Sequence, residues 1–529
     1  MKRDLLILTA VALAVRTAVA VLISEAPWTD SAYYFSSARQ LATGEGLTVP
    51  FVWSFLETGG RLPVDPTLPI ASHAHWMPLS AMVAAVGMEL LGPTWRAAQV
   101  PMVLLSTLLT PLSYLMAMRL WGSRLAAVVG SLLVVFAGPL LLFGSIVENF
   151  AVFGLAGSGA LYAAMRSVAE PSRRGRWLLA SGALVGVATL GRIDGLLLVI
   201  APATAWLQTR GPRGGWTAGI GSFVAFAVVV APWALRNMAT FGSVLPSTGG
   251  RTLWIKDYNE QFSITADTGI GAYLAQGPLP IIGSKVGTWL TIGGYTLALL
   301  AGIFGAFFIA ALWLQRRRPD MAPFIVYFVA MFVIMGALFT FHAPRGLFYH
   351  HAAAWLPIAA PMAVTAVAPM AIAGSRWWRF LGRPATHRFL VIASLVATVP
   401  FSLVASGLLL AEWRSNLRAA HAVDAFLDQH AERGDVVMHR DAPLLYSVTG
   451  HPVVAPPFDP YPIIGEVAEA YDVRWFVAQR QSEGPAVEPL GLWEGGNAVD
   501  DDGNRADWLA DRPAFDDGTV RIYAVMQGD

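Results

Sequence analysis

From Leu5 to Ser24 the chain runs through about twenty residues with Arg16 as its one charge, the length an α-helix needs to cross about 30 Å of hydrocarbon. Comparable runs follow at roughly 96–118, 124–144, 148–166, 177–191, 195–209, 217–236, 287–313, 322–341, 351–373 and 388–411, about eleven in all. Inside hydrocarbon every backbone N–H and C=O must be paired within the chain, so such runs leave little choice but membrane-crossing helices. The predicted class is an α-helical polytopic membrane protein. The runs 177–191 and 195–209 are short and read as a tight hairpin broken at Gly191-Arg192-Ile193-Asp194-Gly195.

Composition agrees, since 13% charged residues among 529 is about half of what soluble chains carry. From Trp413 onward there are 20 acidic residues against 9 Arg and no Lys, so a basic membrane body precedes an acidic, soluble tail. The arginines lie in short clusters between apolar runs, a distribution that excludes a nucleic-acid-binding face. With no cysteine there is no disulfide framework, thiolate metal site or cysteine nucleophile. The first apolar run follows Lys2-Arg3 but has no small-x-small cleavage pattern, so it reads as a retained helix.

Lys2/Arg3, Arg119/Arg124, Arg166 with Arg173, Arg174 and Arg176, Arg210/Arg213, Arg316 to Arg318, and Arg376 to Arg388 fall on alternate connections. Those are the cytoplasmic ones. The N-terminus is then cytoplasmic, and the loop 25–95, the turn Ser145–Asn149, the break at Arg192, the loop 237–286, the segment His342–His350 and everything after Trp413 lie outside. Pro78 to Gly92 is apolar but short, and suits an interfacial helix. Two units are expected: a transmembrane body over 1–412, including the large first outer loop 25–95, and a small extracytoplasmic α/β domain over 413–529. In the latter, 415–431 and 464–471 read as helices, and 435–438, 475–477 and 520–525 as strands.

Several polar residues fall at outer helix ends. Thr29-Asp30-Ser31 opens a surface helix over Ala32, Phe35, Ala38 and Leu41 that Gly44 stops, so Asp30, beside Tyr33 and Tyr34, either caps that helix or acts as a general base. Glu148 lies between two apolar runs, where an acid is paired, functional, or a turn residue at headgroup level. His73 and His75 are weakly spaced for a metal. Arg192, Lys285, Arg345, His350 and His351 are placed to clamp a lipid phosphate, while Arg192 also has Asp194 as a partner.

In order along the chain these stretches resemble the GT-C class of polyprenyl-phosphate-sugar glycosyltransferases, in the branch of protein O-mannosyltransferases and aminoarabinose transferases. Asp30-Ser31-Ala32-Tyr33-Tyr34-Phe35 through Leu41, Gly44 and Gly46 is similar to the family's acid, aromatic pair and A-x-x-L-x-x-G-x-G, with Ser31 where many members carry a second acid. His75-Trp76-Met77-Pro78-Leu79 resembles the family's His/Lys-Pro-Pro-Leu with one proline kept. Glu148 matches the acid of the second outer loop, Gly191-Arg192 the hairpin, Ala231 to Asn237 with Phe241-Gly242 the P-W-x-x-R-N helix exit, and Arg345 with Phe348-Tyr349-His350 the late outer loop.

The resemblance implies an inverting transferase that moves a sugar from a polyprenyl phosphate to an extracytoplasmic hydroxyl acceptor. Asp30 is then the catalytic acid, and Tyr33, Tyr34, His75, Glu148, Arg192, Arg345 and His350 bind substrate, with Arg345, Arg192 and a protonated His75 stabilising the departing phosphate. No cofactor is required and no metal is assigned, although Asp30 and Glu148 would hold a divalent cation if they converge. A lipid or solute transporter, and a glycan polymerase or ligase working through outer arginines, are the competing readings. The first expects an internal repeat, which is absent, and the second leaves Asp30 idle.

Overall fold

The computed structural model describes residues 1–138, 140–209, 215–246, 251–480 and 506–526. Arg210 and Arg213 of the charge pattern lie outside the described residues. The helices in chain order are α1 (Lys2–Leu22), α2 (Thr29–Ala42), α3 (Leu79–Leu91), α4 (Trp95–Trp121), α5 (Arg124–Val135), α6 (Leu140–Phe143), α7 (Phe150–Ala169), α8 (Arg174–Gly191), α9 (Ile200–Thr209) and α10 (Gly215–Phe241). They continue as α11 (Ile270–Ala275), α12 (Pro278–Leu299), α13 (Ile303–Gln315), α14 (Ala322–Leu338), α15 (Phe348–Gly374), α16 (Pro384–His430), α17 (Ala442–Thr449) and α18 (Tyr461–Ala470). Each apolar run in the sequence carries helix, and the chain is a polytopic α-helical membrane protein.

Among the described residues six helices are long and apolar enough to cross a membrane, or seven if α12 and α13 form one bent span. That is fewer than the eleven runs, for local reasons. The run 287–313 is cut at Leu300–Gly302, where Ala301 and Gly302 take positive φ and α12 and α13 meet at 107°. The run 124–144 is cut between α5 and α6, and 195–209 begins as a 3₁₀ turn over Ile193–Val199. The body's core is built on α15, whose Trp355 is fully buried among Phe308, Phe328 and Phe348. Small residues allow close helix contact: a Cβ on Gly130 of α5 would meet the Pro361 backbone of α15 at 2.5 Å.

Beyond the body lies a six-stranded sheet in the order β2-β5-β4-β6-β8-β7. Its strands are β2 (Phe51–Val52), β4 (Val436–Met438), β5 (Val453–Val454), β6 (Val473–Gln479), β7 (Phe515–Asp516) and β8 (Val520–Ala524), while β1 (Thr48–Val49) and β3 (Ile70–Ala71) form a separate pair. β2 comes from the first loop and pairs in parallel with β5, Phe51 opposite Val453. One sheet thus joins the first loop to the C-terminal segment. α16 runs unbroken for 47 residues from the apolar run 388–411 into that segment.

Candidate active site

Thr29 and Asp30 form the first turn of α2, but the residue preceding the helix is Trp28, which donates no side-chain cap. Asp30 therefore is not the cap. Its carboxylate forms a group with Glu148 and His350, the three ligand atoms all within 4.8 Å of one another.

Glu148 reaches this point on an irregular stretch between α5 and α7, and irregular backbone at membrane depth survives only where its carbonyls are satisfied. Arg16 of α1 donates to the carbonyls of Leu140 and Leu141, both at 2.8 Å. Ser106 bonds the Gly144 carbonyl, Gln99 Nε2 the Ser145 carbonyl at 3.1 Å, and Ser31 Oγ the Val147 carbonyl at 2.9 Å. A Cβ on Gly144 would lie 2.8 Å from the Arg16 guanidinium carbon, so a larger residue there would push that guanidinium aside. Arg16, which has no evident partner in the sequence, and Ser31, which stands where relatives of the resembled family carry a second acid, both hold the Glu148 segment.

The cluster is strongly asymmetric in its hydrogen bonding. Glu148 is fully buried; its Oε1 accepts from the Asn149 N–H at 3.0 Å, while Oε2 has no partner among the described residues. His350 Nδ1 pairs with the Gly346 carbonyl at 2.8 Å, which fixes the proton on Nδ1 and turns the Nε2 lone pair towards Glu148 Oε1, 3.4 Å away. A carbonyl-anchored imidazole beside two carboxylates is the donor set of a divalent-cation site, and the orphaned Oε2 and Nε2 are atoms such an ion satisfies. Asp30, Glu148 and His350 thus fit a cation. Burial pushes the Asp30 carboxyl up to about 7, the Asp441 carboxylate adds to this, and the Arg192 cation opposes it.

Arg192, at the break after α8, forks onto Asp194 with Nε at 3.0 Å and Nη2 at 3.2 Å from the two oxygens. Asp194 also lies 3.3 Å from His351 Nε2, and His351 Nδ1 is 2.8 Å from the Tyr327 hydroxyl. Of the two readings left open for Arg192, pairing with Asp194 is realised, and its charge still acts on Asp30, Tyr34 and His75.

The remaining sequence candidates divide. Tyr34 reaches the cluster, its hydroxyl 3.4 Å from Asn149 Nδ2. Tyr33 turns away: its hydroxyl donates to Glu57 at 2.7 Å and accepts from the His73 N–H at 2.8 Å. His75 packs on Trp53, and burial together with the nearby His342 and Arg192 lowers its pKa to about 4, so the expected protonated ring is neutral instead. Arg345 sits over the Tyr258 ring at 4.2 Å, and both it and Asp30 act electrostatically on the Tyr258 hydroxyl. Lys285 donates to the Ala337 carbonyl at 2.5 Å and belongs to helix packing. Sequence reasoning missed Asp441 and Glu57, which stand in stretches with no periodicity or motif.

No protein-family model matches the chain, and no curated protein matches it in sequence. Solved structures do match. ArnT from Cupriavidus metallidurans bound to undecaprenyl phosphate superposes with a TM-score of 0.58 at 16% identity, over 98% of this chain and 97% of that one. The archaeal oligosaccharyltransferase AglB from Archaeoglobus fulgidus, in complex with an inhibitory peptide and a dolichol-phosphate, superposes with a TM-score of 0.56 at 12% identity, over 90% and 69%. A structure of the Archaeoglobus fulgidus oligosaccharyltransferase in complex with Zn and sulfate gives a TM-score of 0.57 at 13% identity, over 89% and 68%. The chain has the GT-C fold of these membrane glycosyltransferases.

Proposed function

We propose that this chain is an inverting glycosyltransferase that moves a sugar from a polyprenyl-phosphate donor to a hydroxyl acceptor at the extracytoplasmic face of the membrane. The observation that carries the reading is the convergence of Asp30, Glu148 and His350, from three distant stretches, beside the Arg192 cation.

Asp30 takes the proton of the acceptor hydroxyl as its oxygen bonds to the anomeric carbon. The bond from that carbon to the phosphate oxygen breaks on the opposite face, and polyprenyl phosphate leaves as an anion that needs no acid. A carboxyl poised near 7 matches the work of a general base at neutral pH. Arg192, held by Asp194, and Arg345, held over Tyr258, bring positive charge towards the developing phosphate dianion. A divalent cation held by Asp30, Glu148 and His350 would supply a further positive charge beside the donor phosphate. Tyr34 and the neutral His75 line the approach.

Transport and arginine-only polymerisation are less well supported, because neither gives work to three ligand-bearing side chains gathered at one point. The deciding measurement is transfer of a radiolabelled sugar from polyprenyl phosphate to added acceptors by the purified protein in liposomes. Wild-type rates in Asp30→Asn overturn the reading. Sidedness is tested separately, using the cysteine-free background: Val64→Cys is expected to react with an impermeant thiol reagent in intact cells and Ser172→Cys is not. The reverse pattern inverts the topology.

A further inference from the structure

The C-terminal segment meets two stretches next to site residues through two carboxylates, Asp441 and Asp459. Asp441 opens α17, its Oδ1 accepting from the Leu444 N–H at 3.2 Å. Its Oδ2 accepts from Thr29 Oγ1 at 2.9 Å. Thr29 is the first residue of α2 and precedes Asp30 directly, and the first turn of α2 has no side-chain cap of its own. One carboxylate therefore ties the start of α17 to the turn that carries the base. Next to it, Trp28 stacks on Trp413 with ring centroids 6.5 Å apart and planes 11° from parallel.

Asp459 does the corresponding work for the stretch 263–265. It accepts from Ser263 Oγ at 2.5 Å, from the Ile264 N–H at 2.7 Å and from the Thr265 N–H and hydroxyl, while the Phe458 N–H bonds the Phe262 carbonyl at 3.2 Å. The short turn Tyr258–Phe262 that ends at this anchor carries the ring under Arg345 and, through Gln261 Oε1, contacts His342 Nε2 at 3.0 Å. Asp459 thus fixes one end of a strap whose other end holds Arg345.

We propose that the C-terminal α/β segment is the positioning module of the reaction centre, Asp441 aligning Asp30 through Thr29 and Asp459 aligning Arg345 through residues 258–265. The inference rests on the transferase reading above, with Asp30 as base and Arg345 on the donor phosphate. Displacement of a base by about 1 Å costs up to about 10²-fold in turnover, and a displaced phosphate clamp weakens donor binding as well.

The test separates kcat from donor KM in the full-length protein. Thr29→Val, which keeps the shape and removes the hydroxyl, is expected to lower kcat about tenfold with donor KM unchanged, and Thr29→Ser to restore it. Asp441→Ala should lower kcat at least as much, and the double variant Thr29→Val/Asp441→Ala no further than Asp441→Ala alone. Asp459→Asn should instead raise donor KM about tenfold. Melting temperature is followed for each variant, because loss of fold lowers both parameters together. Wild-type kcat in Thr29→Val, multiplying effects in the double variant, or a joint fall that tracks melting temperature each overturns the inference. Asp30→Asn is run beside them: an inactive Asp30→Asn with a normal Thr29→Val sinks the positioning role alone, whereas an active Asp30→Asn sinks the transferase reading and this inference with it.

Discussion

His350 and His351 are neighbours on α15, each beside a buried carboxylate, yet their surroundings differ in one respect. On the His351 side Asp194 receives the two-pronged guanidinium of Arg192, and the ring's other nitrogen meets the Tyr327 hydroxyl. On the His350 side Glu148 keeps a fully buried oxygen with no partner among the described residues, while the Nε2 of either ring faces its carboxylate without a hydrogen bond, at 3.4 Å for His350 and 3.3 Å for His351. The first carboxylate is closed and holds Arg192 in place. The second is open, and since an unsatisfied buried polar group costs about 1–3 kcal/mol, something other than folding accounts for its retention. Adjacent residues of one helix thus stand beside one carboxylate that is fully paired and one that is not.

The strongest way to break this contrast is Asp30→Asn on the open side. It is expected to lower transfer about 10²–10⁴-fold while donor binding and melting temperature stay near wild type; a variant that melts early instead would make the open side structural. On the closed side, Asp194→Asn strips the partner from a mostly buried guanidinium, and the expected loss is about 3–5 kcal/mol of stability with no change in divalent-cation affinity. Thermal melts with and without added cation decide between the two.

Glu148→Gln sharpens the comparison further. It should leave the melting temperature of the cation-free protein unchanged or raised, abolish the stabilisation that a divalent ion gives wild type, and remove any inhibition of transfer by chelator. Unaltered cation stabilisation in Glu148→Gln would remove the ion from the open cluster.

The smallest expected effect concerns a third buried acid. Burial raises the Glu57 pKa from the usual 4.5 to about 7, against the hydrogen bonds from Tyr33 and the Trp53 N–H. The folded state holds this proton after the unfolded state has released it, so the stabilising contribution is complete below about 4.5 and is lost as pH rises through about 7. Glu57→Gln should flatten the fall in melting temperature between pH 5 and pH 8, by about 3 kcal/mol at most. A parallel fall in the variant would show that Glu57 ionises freely.

Much of the framework is legible in the sequence because it is written locally. Apolar runs locate each membrane helix, the spacing of Ala32, Phe35, Ala38 and Leu41 locates α2, and the short run from Pro78 locates α3. The strands 435–438, 475–477 and 520–525 all fall on strands of the sheet or its extension. What stays hidden depends on contacts between distant residues. Nothing in the spacing of Glu148 and His350 announces that they meet, β2 is only two residues long, and Asp441 looks like any acid in an acidic tail until Thr29 is found against it. Breaks within an apolar run stay hidden for a related reason, because hydropathy registers apolar length and is blind to a turn such as Ala301-Gly302.

At 47 residues α16 is about 70 Å long, more than twice the thickness of the hydrocarbon it enters. A rod of that length acts as a lever: a tilt of a few degrees in its lipid-embedded half sweeps the far end, where β6 and β8 pack, through several ångströms. Bilayer thickness, which sets helix tilt, is thereby converted into motion of the soluble end, and the composition of the surrounding lipid becomes a mechanical input to whatever that end holds in register.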